Sequence, residues 1–230
     1  MKDDSLNKLG GLCSILLGAS YVLVGALFLL LPADQRALSS ATAEAFYRSY
    51  DQNPTLLMVY YWMFAAGAVF ALGALPAITE SVRSVREGWA RWTSNLAYLG
   101  FAVIAIDFFR LIALQPARAE AYLAGDASAR AVFATPTLFA GLDPNGWLGF
   151  GAVGLWALVS SLVALRSDLW PRLLGYVGIA VGALYWLVVV SFVSDNAGLL
   201  QIVAALGGVV AAPIWYIWMG MRLRKPAPSM

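Results

Sequence analysis

Six long apolar runs separated by short polar stretches organise the 230-residue chain. They lie near residues 9–31, 55–78, 95–115, 147–165, 173–193 and 199–221. A helix of about 20 apolar residues covers the ~30 Å hydrocarbon core, so each run is long enough to span a bilayer. The runs are uniformly apolar and lack the alternation over about ten residues that marks a barrel strand. Only helices and closed barrels satisfy their backbone in lipid, so each run reads as a helix. The pattern predicts an all-α, polytopic transmembrane bundle of six helices, with residues 1–230 as a single membrane domain. The first run exceeds the apolar core of a cleaved leader, and Asp3 and Asp4 mix with the lysines around it. It is therefore expected to remain as the first span, although Ala41-Thr42-Ala43 resembles a small-residue cleavage site.

The polar stretches are uneven in length. Pro32–Pro54 and Pro116–Gly146 are long for connections in a compact bundle. Each predicts short helices: Ser39–Tyr50, with Ala43, Phe46, Tyr47 and Tyr50 on one stripe, then Ala117–Leu123 and Ser128–Phe133. These helices either tile the mouth of the bundle or form a lid over a binding site. Leu142-Asp143-Pro144-Asn145-Gly146 reads as the turn that launches the fourth span. Basic residues set the orientation. With the N-terminus inside, ten Lys and Arg lie in the inner segments and four, Arg36, Arg48, Arg118 and Arg130, in the outer loops. The positive-inside rule then puts both termini in the cytoplasm and both long loops outside. Trp89, Trp92, Trp170 and Trp218 are expected at the inner interface, and Trp147, Tyr60 and Tyr61 at the outer one.

Composition sharpens the class by exclusion. The chain is 61% hydrophobic and 12% charged, with a mean hydropathy of +0.74, well outside the range of a soluble domain. A net charge of +2 gives no reason to expect nucleic acid. Cys13 is the only cysteine and is expected as a small packing residue. The absence of histidine excludes bis-histidine haem, a zinc site of the usual His/Cys type and a Ser–His or Cys–His nucleophile. No lysine lies within a span for a Schiff base, and no nucleotide-binding motif appears. The sequence therefore predicts no enzyme, no cofactor and no metal, leaving open a pigment or lipid held without histidine.

One chemical feature stands out against this background. Asp107-Phe-Phe-Arg110 is the only acid–base pair inside a span, and ionised groups in hydrocarbon are costly. The segment Trp92-x5-Tyr98-x-Gly100-x-Ala102-Val103 recurs as Trp170-x5-Tyr176-x-Gly178-x-Ala180-Val181. Gly11-x6-Gly18-Ala19-x-Tyr21 recurs as Gly175-x6-Gly182-Ala183-x-Tyr185. The alignment puts Asp107, Tyr185 and Tyr21 at one level, about 18 Å into their helices at roughly 1.5 Å per residue. A phenol can donate to a carboxylate, so Tyr21, Tyr185, Asp107 and Arg110 form the candidate polar site. Three readings stand: a sealed structural ion pair, an outward-facing pocket for an ion, solute or lipid, or an arginine reaching lipid phosphate.

The remaining signals concern packing. Gly146, Gly149, Gly151 and Gly154 in the fourth span, and Gly207-Gly208 in the sixth, allow close helix approach or self-association. Pro76 and Pro213 are candidate kinks. The run Gly146-Trp147-Leu-Gly149-Phe-Gly151, with Trp156, then Leu169-Trp170-Pro171-Arg172-Leu-Leu-Gly175-Tyr176 and Gly182-x2-Tyr185-Trp186, resembles a family of bacterial six-helix integral membrane proteins of unknown function. The resemblance covers residues 143–190 and implies the bacterial cytoplasmic membrane and the six-helix count. It transfers no functional residue. The sequence-level expectation is an accessory or structural subunit or scaffold of a membrane complex, partnered by the bilayer and by other subunits. The alternative is a transporter or sensor binding a small ion, solute or lipid around Asp107 and Arg110.

Overall fold

The computed structural model describes residues 4–36, 42–133 and 141–225. Lys2, Asp3 and the expected start of the first loop helix at Ser39–Ala41 lie outside them. The described residues are helical, without strands: α1 (Asp4–Leu30), α2 (Ala43–Gln52), α3 (Thr55–Arg83) and α4 (Glu87–Ala124) come first. Then follow α5 (Ala127–Phe133), α6 (Trp147–Arg166), α7 (Arg172–Val193) and α8 (Ala197–Leu223). The six long ones are apolar enough to cross a membrane.

The six spans form a ring in chain order. Each packs on the next, from α1 to α3, α4, α6, α7 and α8, and α8 closes on α1. An even number of spans leaves both chain ends on one face, the terminal face, and the long connections on the other, the loop face. The closing seam is built on Gly11, Gly18 and Gly25, one heptad apart. A β-carbon on Gly18 would stand 2.6 Å from Ile217 Cγ1 and 3.0 Å from the Pro213 carbonyl, so only glycine admits this approach. Ser14 Oγ donates across the seam to the Tyr216 carbonyl at 2.6 Å. The α6–α7 seam repeats the device, since a β-carbon on Gly182 would lie 2.7 Å from the Gly154 carbonyl. Of the glycines singled out for packing, Gly149, Gly154 and Gly207 meet neighbouring helices within the ring, whereas a β-carbon on Gly208 would meet nothing within 4 Å.

The ring is filled in its terminal half. Trp156, Trp215, Tyr216, Leu75, Ile78 and Met219 are fully buried there. Trp156 Nε1 donates to Thr79 Oγ1 at 3.2 Å and Trp170 Nε1 to Ser81 Oγ at 3.1 Å. Buried indoles usually find such partners, although the Nε1 of Trp215 is buried without one among the described residues. Trp170, in the connection between α6 and α7 at the terminal face, is thus packed into the core. Tyr60 and Tyr61, near the loop-face end of α3, are also turned inward and buried, packed with Phe64 and Phe108. Trp89, Trp92 and Trp147 are half exposed, in keeping with an interfacial position.

The loop face differs most from expectation. α4 does not end at Gln115 but continues through Pro116 to Ala124, so the helix expected over Ala117–Leu123 is its extension. Its 38 residues amount to about 57 Å, far longer than the hydrocarbon core. The cost of Pro116 is offset by packing beyond it. Tyr47 of α2 stacks on Tyr122 at 4.5 Å, and Ala119 is buried. α2 starts on Thr42, whose Oγ1 accepts from the Ala45 N–H at 3.2 Å. At its other end Gln35, fully buried, donates to the Ser49 and Asn53 carbonyls at 2.8 and 3.2 Å. The Tyr47 hydroxyl donates to the Phe133 carbonyl at 3.1 Å, so the two long connections meet. Burial pushes that phenol above its usual range, with Arg118 opposing.

Candidate functional site

Towards the loop face the core divides. One cluster joins α1, α2, α3 and α4, and a smaller one joins α7 and α8. Between them lies a cavity of about 820 Å³ to which all six spans contribute. Its size falls within the roughly 300–1,000 Å³ of small-molecule sites. Aromatic side chains make up a third of the lining: Phe64 stacks on Phe108 at 4.3 Å, and Phe150 meets Tyr185 edge to face at 5.6 Å.

Two stretches of π-helix border the cavity, Trp147–Ala152 in α6 and Ala205–Ala211 in α8. Such wide turns are rare and frequent at functional sites. The first is launched by Gly146, whose φ of +69° is open to glycine at little cost. The Gly151 N–H donates five residues back to the Gly146 carbonyl at 2.9 Å. Asp143 fixes this start, its Oδ2 accepting from the Leu148 and Gly149 N–H groups at 2.9 and 2.7 Å. The second stretch runs into Pro213, which has no N–H for the Val209 carbonyl and whose ring would crowd it. The wider turn relieves that clash and leaves Gly208 facing open space in the cavity wall.

Tyr21, Tyr185 and Asp107 all line this cavity, and Arg110 does not. Arg110 lies 4.0 Å from Asp107, with its side chain 38% exposed against 15% for the carboxylate. The pair is therefore a loose one at the rim, not a sealed node. The phenols do not donate to Asp107 as the sequence suggested. The carboxylate instead accepts from the Leu142 N–H, 3.3 Å from Oδ2, and the chain passes so closely there that a β-carbon on Gly141 would collide with it. The carboxylate is turned to the loop backbone, away from the neighbouring helices.

Three lining residues escaped the sequence reading. Tyr60 was assigned to the interface and Asp143 to a turn, while Arg36 was counted only as a loop charge. Arg36 Nε and Nη2 donate to the Leu31 and Leu29 carbonyls at 3.0 Å each, and its guanidinium stands over the Phe28 ring. A cation there complements the end of α1. Its only sequence signal is its place one turn beyond the first span, and the fold-back depends on the turn at Ala33–Gln35.

Of the residues lining the cavity, Tyr21, Tyr60 and Tyr185 are each more than nine-tenths buried. Their hydroxyls make no hydrogen bond with a described residue. Tyr216 packs edge to face on Tyr21 at 6.3 Å, and its hydroxyl, unlike theirs, is fully buried as well as unpartnered. Buried polar groups seldom stay unpaired in native structures. No group of three or more acidic or cysteine side chains close enough to hold a metal ion occurs among the described residues. The model of the domain of unknown function DUF4386 matches residues 15–222. No curated protein and no solved structure matches the chain.

Proposed function

This chain belongs to the DUF4386 family, and from that premise we propose that it is a bacterial cytoplasmic-membrane protein that binds a small, mainly apolar molecule. The binding site is the cavity among the six spans, open towards the extracytoplasmic side in an orientation with both termini inside. The observation that carries this reading is the roughly 820 Å³ cavity, lined in part by aromatic side chains and bordered by two π-helical turns. A protein that served only as a scaffold would have reason to fill such a space, since a void forfeits packing energy in lipid as in water. Gly154, one of the glycines that could have served self-association, is taken up at the α6–α7 seam, which favours the binding reading over a scaffold. The proposal includes no catalysis, because no nucleophile–base pair lines the cavity among the described residues. It keeps the transporter or sensor alternative in a reduced form, as recognition of an apolar molecule with no commitment to moving it.

The test uses Gly208, where a side chain would grow into empty cavity rather than into a neighbour. Wild-type protein purified in a mild detergent is expected to carry an extractable small molecule, identifiable by mass spectrometry. Gly208→Phe should lose that molecule and keep its thermal unfolding temperature within a few degrees. Equal amounts of the same molecule on both proteins would sink the proposal.

A further inference from the structure

The lining side chains divide into those already bonded and those that are not. All the charged ones are engaged. Asp143 accepts two backbone N–H groups, Arg36 donates to two carbonyls, and Asp107 takes the Leu142 N–H while facing Arg110. The phenols of Tyr21, Tyr60 and Tyr185 are not: they line the cavity, are almost fully buried, and have no hydrogen-bonding partner among the described residues. A ligand bearing a full charge would find the charged groups spent and would give up its hydration for phenols alone. A hydrocarbon without oxygen would leave those phenols orphaned, at a cost comparable to a lost hydrogen bond each. An uncharged ligand with acceptor oxygens satisfies both conditions.

The walls add a preference for shape. Flat rings pair with aromatic side chains stacked or edge-on, and both arrangements are presented here by Phe64 with Phe108 and by Phe150 with Tyr185. We infer that the cavity takes a quinone-type ligand: an uncharged ring with carbonyl oxygens on a hydrocarbon tail, the ring seated among Tyr21, Tyr60 and Tyr185. This rests on the proposal that the cavity is a binding site, and it names the class of molecule bound. The phenol O–H groups donate to the ring carbonyls, and the tail lies along the apolar walls.

The test is equilibrium binding to purified protein in detergent, with four probes carrying the same ten-carbon tail: a decyl benzoquinone, decanoate, decyltrimethylammonium and decylbenzene. The quinone should bind tightest, with both charged probes weaker by about tenfold or more. Tyr21→Phe combined with Tyr185→Phe should weaken the quinone by about 5- to 30-fold, as expected for two lost hydrogen bonds. The same variant should leave decylbenzene unchanged, an outcome that a merely misfolded cavity would not give. If decanoate or the ammonium probe matches the quinone, or the double variant binds it as wild type does, the quinone assignment is overturned. The cavity reading still stands in that case, provided Gly208→Phe abolishes binding of whichever probe is held. Should no probe bind and Gly208→Phe alter nothing, both readings fall.

Discussion

A carboxylate that accepts two backbone N–H groups at under 3 Å is held far more firmly than one facing a half-exposed guanidinium at 4.0 Å. The residue that steadies the cavity rim is on this ground Asp143, with the Asp107–Arg110 pair contributing less. Asp143→Ala leaves two N–H groups at the start of α6 without an acceptor and should cost about 1–3 kcal/mol. Arg110→Ala removes a loose, partly solvated pair and should cost less than about 1 kcal/mol. Thermal unfolding of the two variants in one detergent measures the difference; equal shifts would contradict this ranking. The sequence could mark Asp107 and Arg110 because charge inside an apolar run is visible in one dimension. It could not rank them against Asp143, whose role arises only when the chain turns at Gly146 and brings two amides onto one oxygen.

Among the helices, the seams decide stability more than the faces turned to lipid. Gly18 and Gly88 make the contrast measurable. A β-carbon at Gly18 meets Ile217 and the Pro213 carbonyl, whereas one at Gly88 meets nothing within 4 Å. Gly18→Val should destabilise by about 1–3 kcal/mol through overpacking. Gly88→Ala, in the first turn of α4, should be neutral or raise stability by up to about 1 kcal/mol. Size-exclusion profiles and unfolding temperatures would show the opposite signs. The spans themselves were legible, because twenty apolar residues in lipid leave the backbone no alternative to a helix. Their ends were not. Pro116 looks like a stop signal until Tyr47 and Tyr122 stack beyond it. The π-helical turns were equally hidden, since a hydrogen bond from i to i−5 leaves no mark on composition. Gly146 and Pro213 correctly signalled irregularity at both places without revealing its form.

For the whole molecule, the charge asymmetry gives a topology that can be checked directly. In a Cys13→Ser background, Val85→Cys lies in the connection between α3 and α4, and Ala127→Cys lies at the start of α5 on the opposite face. With both termini in the cytoplasm, a membrane-impermeant maleimide should label Ala127→Cys on intact cells and Val85→Cys only after permeabilisation. The reverse pattern would invert the assignment and turn the cavity mouth to the cytoplasm. The fold class and span count could be read from the apolar runs, but the cavity could not. A void depends on how far α1, α3 and α4 stand from α7 and α8, and no single residue encodes that separation.

The closure of α8 on α1 bears on how the protein is made. Neighbouring spans follow one another along the chain, so most of the bundle can assemble hairpin by hairpin as it leaves the ribosome. The α1–α8 seam is the exception. Until the last span emerges, α1 presents a glycine-lined groove to the bilayer with nothing seated in it, and the ring stays open. Completion is thus postponed to the end of synthesis, and a chain truncated before α8 would display an unfinished edge to the membrane quality-control machinery. The same geometry implies that a gene split between α4 and α6 should yield two fragments that find each other when co-expressed.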